Sequence, residues 1–129
     1  MVIDNNLLNE LSIQAKANSR LRQGLDLRTT LDDTSQRLLN ALELGTIIPI
    51  HRHRTTSETM VMVRGRLLER FYDDVGNLTD EFLMEPMGEN PMIQVPIGQW
   101  HSLEVLESGT VIFEAKDGRY ESLDKEDII

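Results

Sequence analysis

Gly45-Thr46-Ile47-Ile48-Pro49-Ile50-His51-Arg52-His53-Arg54-Thr55-Thr56-Ser57-Glu58-Thr59-Met60-Val61-Met62-Val63-Arg64-Gly65 carries both the fold and the chemistry of this chain. Alternate side chains of a strand leave on one side, so His51 and His53 are expected to present their rings together. Arg54 to Ser57 give a loop of four residues in which the chain reverses, and Glu58 then opens a neighbouring strand with its carboxylate toward the same point. The third and last histidine, His101, follows the turn residues of Pro96-Ile97-Gly98-Gln99-Trp100 and is expected to close the set from a distant strand. Three imidazoles and a carboxylate suit one divalent first-row ion such as Zn, Fe(II), Mn, Ni or Cu. Magnesium and calcium, which prefer oxygen donors, fit this set poorly.

Outward from this run, short apolar or alternating segments are punctuated by Gly65, Asp73-Asp74-Val75-Gly76-Asn77, Pro86-Met87-Gly88, Pro96-Ile97-Gly98, Ser108-Gly109 and Asp117-Gly118. Regular short strands with turn residues between them predict an all-β sandwich or barrel. Ahead of them, Asp4 is a candidate N-cap, and Leu7, Leu8, Leu11 and Ala15 recur at helical spacing. They predict an amphipathic helix over about residues 5–17. No repeat or linker divides the chain. Residues 1–34 read as helix and connecting segment, and residues 35–129 as the barrel of a single domain.

The first motif resembles the first motif of the cupin superfamily, and Pro96-Ile97-Gly98-Gln99-Trp100-His101 resembles the second. Gly88 lies farther from Pro96 than usual, and Val105 stands where Asn is common. Nearly end to end, the chain resembles the WbuC family of cupin-fold metalloproteins. The likeness rests on Ile3-Asp4-Asn5-Asn6-Leu7-Leu8, Ser19-Arg20-Leu21-Arg22, Gln36-Arg37-Leu38-Leu39-Asn40-Ala41-Leu42 and Phe113-Glu114-Ala115-Lys116-Asp117-Gly118. Leu27-Arg28 departs from the family's Asn-Leu-His-like segment. The resemblance implies a double-stranded β-helix (jelly-roll) barrel with His51, His53, Glu58 and His101 as metal ligands. It also implies a place in bacterial surface polysaccharide biosynthesis, with no particular reaction attached.

A chain of 129 residues, 40% hydrophobic, can bury one core. Its net charge of -9 argues against nucleic acid, which is held by clustered Lys and Arg. Without cysteine there is neither disulfide nor thiol chemistry. No apolar run approaches the ~20 residues of a membrane span and no secretory leader is evident, so a cytoplasmic location is expected.

By strand register, Ile47 and Pro49 share the side of His51 and His53, while Ile48, Ile50, Arg52 and Arg54 take the other. Glu58, Met60 and Met62 align, as do His101, Leu103 and Val105, which predicts a mostly apolar cavity around the ion. Met60, Met62, Trp100 and Tyr72 are candidate pocket residues. For the methionines and Trp100 the reading as packing residues is favoured over ligand contact. Thr59, Val61 and Val63 predict an opposite face that is also covered, by the N-terminal helix or by a partner in a homodimer. Arg20, Arg22 and Arg28 read as surface charge paired with acids in preference to an anion site.

Three function classes follow. The first, favoured by the polysaccharide link, is a metal-dependent enzyme acting on a small sugar, sugar nucleotide or sugar-derived molecule, with the ion as Lewis acid. The second is an Fe(II)-dependent dioxygenase. The third is a non-catalytic metal-stabilised ligand-binding or regulatory module, kept open because the catalytic residues are unassigned: no general base apart from the ligands is evident, and Tyr72, Tyr120 and several carboxylates are the candidates once the chain is folded.

Overall fold

The computed structural model describes residues 1–129. The helix α1 spans Asn5–Ala17. The strands are β1 Arg22–Asp26, β2 Ser35–Leu42, β3 Glu58–Arg64, β4 Leu67–Tyr72, β5 Leu78–Met84, β6 Met92–Val95, β7 Trp100–Val105 and β8 Thr110–Asp117, and a short 3-10 turn occupies Lys125–Asp127. They form two antiparallel sheets, one of five strands in the order β1-β2-β8-β3-β6 and one of three in the order β5-β4-β7.

The helix begins as expected, because the Asp4 side chain accepts from Leu7 N at 3.0 Å and satisfies one of the free N–H groups of the first turn. Its apolar face, Leu8, Leu11 and Ala15, packs on Leu39, Ala41 and Val111 of the larger sheet. Burying each leucine contributes about 1.5–3 kcal/mol. The helix therefore covers β2 and β8. It leaves the outer face of β3 only half-covered, with Thr59 and Val61 half-buried and Val63 exposed. The connecting segment before residue 35 contributes β1, which pairs with β2 from Arg22↔Leu42 to Asp26↔Leu38.

Between the two sheets lies the core of Leu42, Met60, Met62, Leu67, Met84, Val105 and Ile112. The alternation of β3 behaves as its sequence predicts: Glu58, Met60 and Met62 are all buried on the inner face. Residues 47–57 differ from expectation. They form no regular strand, and His51 alone makes β-bridges, to His101 on one side and Ile128 on the other. Pro49, which has no N–H to give a ladder, stands within this segment. The strict alternation fails with it: Ile47 is 83% exposed, while Ile48 and Pro49 both reach the cavity and Arg52 and Arg54 stand at its mouth.

Candidate metal centre

Each candidate ligand is placed by backbone hydrogen bonds. His51 and His101 exchange their N–H and C=O groups at 3.0 and 2.8 Å. Two residues on, the His53 carbonyl accepts from Gly98 N at 2.8 Å, which ties the first motif to the turn of the second. In that turn Gly98 has φ +79, a left-handed conformation that glycine adopts without strain. Glu58 is the first residue of β3, next to Val95 and Lys116 in register.

The side chains converge. The ligand atoms of His51, His53 and His101 lie within 4.8 Å of one another. Glu58 Oε2 lies 3.4 Å from both His53 Nε2 and His101 Nε2. His51 Nδ1 is 2.8 Å from the Pro49 carbonyl, and His101 Nδ1 is 2.9 Å from the Gln99 carbonyl. A carbonyl only accepts, so each Nδ1 carries the proton and each Nε2 keeps a free lone pair. His53 Nε2 is buried without a hydrogen-bond partner.

Electrostatics favours the same state. Burial first, then the neighbouring His101 imidazole, pushes the His51 ring down to about 4, so it is neutral near pH 7. Burial acts to raise the Glu58 carboxyl, but protons turned toward it from the His101 and His53 rings, with Lys116, reverse this and hold it well below its ordinary value, and a bound cation would take the place of those protons.

These residues fit a metal ion. With bonds of about 2.0–2.1 Å, the donors around a tetrahedral ion stand about 3.4 Å apart and around an octahedral ion about 3.0 Å. The carboxylate-to-imidazole distances are of that size, and the orphaned Nε2 of His53 is a donor with nothing else to satisfy it. His51, His53 and His101 would hold the ion through nitrogen. It would supply Lewis acidity toward a bound carbonyl or hydroxyl oxygen.

The centre opens into a cavity of about 690 Å³. Met60 lines it, whereas Met62 belongs to the apolar core beneath. Trp100 and Tyr72, named from sequence as pocket candidates, lie outside the lining. Alternation along β7 turns Trp100 away from the face of His101, and Tyr72 pairs with Trp100 in register on β4. Trp100 is buried, donates Nε1–H to Asp74 at 3.2 Å, and carries the Arg52 guanidinium 4.5 Å over its ring.

The walls are also more polar than expected. Asn40, Glu69, Glu114 and Lys116 line them beside Leu42, Met60 and Ile112. Neither carboxylate is legible from composition. The only signal is period two, since Glu69 follows Leu67, and Glu114 follows Ile112, on a buried face. Burial first, and then the charge of Glu58, raises Glu114 to about 8. Of the arginine cluster, Arg28 pairs with Asp26 at 2.6 Å as expected for surface charge, while Arg22 lines the cavity and donates to the Ile47 carbonyl at 3.2 Å. Sequence reasoning missed the C-terminal segment: Gly118 to Asp124, Asp127 and Ile128 form one side of the cavity.

Residues 3–84 match the family described as Domain of unknown function (DUF6016). No curated protein matches the chain. Among solved structures it is similar to CapF, a capsular polysaccharide assembling protein of Staphylococcus aureus, with TM-score 0.65 and 20% identity over 76% of this chain and 27% of that one. It is similar to KdgF from Halomonas sp., with TM-score 0.62 and 14% identity over 77% and 82% of the two chains. The cupin domain of Cnp3 from Schizosaccharomyces pombe matches with TM-score 0.60 and 11% identity over 75% and 64%. At these identities the likeness establishes the fold, which is that of the cupins.

Proposed function

The chain belongs to the DUF6016 family, and from that premise we propose that it is a divalent-metal cupin acting on a small sugar or sugar-derived molecule. His51, His53, Glu58 and His101 would be the ligands and the ion a Lewis acid. One observation carries the reading: Glu58 Oε2 stands 3.4 Å from two imidazole nitrogens at the edge of a large cavity. An ordinary buried ion pair would draw such groups to about 2.7–2.9 Å.

The sugar class is supported by the resemblance to WbuC proteins and by the fold shared with a capsular polysaccharide assembling protein. It is also supported by the polar groups that line the walls, since hydroxylated ligands need donors and acceptors in place of a purely apolar surface. We infer a homodimer as well, because α1 leaves Val63 and the neighbouring Met92 of β6 exposed. Sedimentation at several concentrations tests this.

The test of function has two stages. Elemental analysis of protein purified without chelator or metal-affinity resin, part of it kept anaerobic, reads the ion. Near-stoichiometric zinc, manganese or nickel supports Lewis-acid chemistry, whereas iron retained only without oxygen would replace it with the dioxygenase reading. Melting curves with a hexose phosphate and a sugar nucleotide follow. A stabilisation seen only in metal-loaded protein is expected, and an equal shift in metal-free protein overturns the link between ligand and ion.

A further inference from the structure

Glu69 stands on β4, where Leu67 on the same face packs in the apolar core. The position calls for a hydrocarbon, yet it holds a carboxyl that is 1% exposed. Its Oε1 has no hydrogen-bond partner. No cation compensates it: the adjacent Arg70 is engaged with Glu81 and Glu104 at 2.7 and 2.8 Å. The charges that act on Glu69 are the carboxylates Glu58 and Glu114. As a purely structural group Glu69 therefore only destabilises the fold.

Its place explains why it is kept. Glu69 lines the cavity that opens from the metal centre. In register it opposes Leu103 on β7, two residues along the same face from His101. That diagonal puts the Cα atoms of Glu69 and His101 about 7–8 Å apart on one face, so a small molecule in the cavity can touch both the centre and the carboxyl. A buried polar group left unpaired in a cavity wall is the complement of a polar group on the ligand.

We propose that Glu69 is a ligand-binding residue whose carboxyl hydrogen-bonds a hydroxyl group of the molecule held at the metal centre. This rests on the sugar reading above and deepens it. Burial, and then the charge of Glu58 and Glu114, raises the Glu69 carboxyl well above its ordinary value, which favours its protonated form. A protonated carboxyl offers one donor and an acceptor, the pattern that a hydroxyl also offers in return. The amide of Asn40, facing the same cavity from β2, has the same double character. This part of the wall is suited to the hydroxyl groups of a polyol.

The test compares metal-loaded wild type with Glu69→Met and Glu69→Gln, using D-glucose, D-mannose and D-glucose 6-phosphate as probes. Metal content, unfolding midpoint without probe, and saturation-transfer NMR binding are measured. Glu69→Met is expected to keep its metal, to melt higher than wild type, and to lose affinity for the bound sugar by about tenfold or more. Glu69→Gln, which retains a donor and an acceptor, is expected to keep binding within a few-fold. If Glu69→Met melts lower than wild type, the carboxyl is a structural group and the proposal fails. If wild type binds a sugar in a metal-dependent way and Glu69→Met binds it equally well, the proposal fails while the sugar reading stands. If no probe binds wild type, both fall together.

Discussion

His51 and His101 form a reciprocal backbone pair, with each N–H bonded to the other's carbonyl at 3.0 and 2.8 Å and ring centroids 4.2 Å apart. The pair is the joint between the two sequence motifs, so the metal centre and the closure of the barrel depend on the same contact. An ion bound only by the folded state stabilises it by about 2.7 kcal/mol at a free concentration of 100 times Kd. For a domain of this size that is roughly 10 °C in melting temperature. In His101→Ala and His51→Ala we expect metal content to fall and the chelator-sensitive part of the melting temperature to disappear. Wild-type metal content in both variants would sink the ligand assignment.

Gly65 closes the first motif, and its role is steric. Its φ is +88, and a Cβ there would lie 2.6 Å from Thr110 Cα. Thr110 is fully buried and its hydroxyl donates to the Glu107 carbonyl at 2.7 Å, so it has no room to withdraw. Left-handed backbone strain and overpacking together predict that Gly65→Ala loses about 3 kcal/mol, read as a lower urea midpoint with unchanged slope. A loss below ~1 kcal/mol would mean that the hairpin relaxes freely.

What was legible in the sequence is what has a local period or a local rule. Asp4 and the leucines that follow it announce α1 through a cap and a helical stripe. The alternation of Glu58, Met60 and Met62 announces the inner face of β3. Trp100, beside a ligand in sequence, is turned by the pleat to the opposite face, where it packs as the favoured reading has it, and Tyr72 pairs with it there. Glu69 and Glu114 were illegible because a charged residue in a strand ordinarily marks the solvent side; only the long-range closure of two sheets buries them. The docking of residues 124–129 against His51 has no local signature at all, since it depends on a pairing across most of the chain.

The raised carboxyl of Glu114 makes stability depend on pH, in the same sense as the raised Glu69 carboxyl. A folded-state value of about 8 means that the folded protein holds a proton that the unfolded chain releases above about 4.5. Stability therefore declines as pH rises between those values. The depressed His51, at about 4, acts in the opposite sense only between about 4 and 6.5, where the unfolded chain binds the extra proton. Above pH 6.5 the carboxyl effect stands without that opposition. Metal-free protein is expected to be less stable at pH 8 than at pH 6.5, and Glu114→Gln should flatten the decline. Urea titrations at the two pH values check this; an equal slope in wild type and variant would show that Glu114 is not the group responsible.

The C-terminal segment is held along one side of the cavity chiefly through Asp127. Asp127 Oδ1 accepts from Arg52 Nε at 3.0 Å and from Arg54 Nε at 2.5 Å. Its N-terminal neighbour Glu126 takes the Arg54 Nη2 at 3.0 Å. The Arg54 guanidinium, followed by burial and Arg52, sets the Asp127 carboxyl, and the net effect is to hold it below its ordinary value. Two backbone bonds, Ile129 N to the Ile50 carbonyl at 2.8 Å and Arg52 N to the Asp127 carbonyl at 3.0 Å, complete the attachment beside His51. Leu123 is only half-buried and Ile128 and Ile129 are exposed, so the hold is mainly polar and local opening is the expected failure. Asp127→Ala should leave the barrel folded while trypsin cuts faster at Lys125 and Arg119. High salt should speed the cut in wild type toward the variant's rate, because it screens these pairs at the mouth. Metal uptake should also become faster in the variant, since the segment forms one side of the cavity through which an ion reaches His51. Unchanged cleavage and unchanged uptake would show that the backbone bonds alone hold the segment in place.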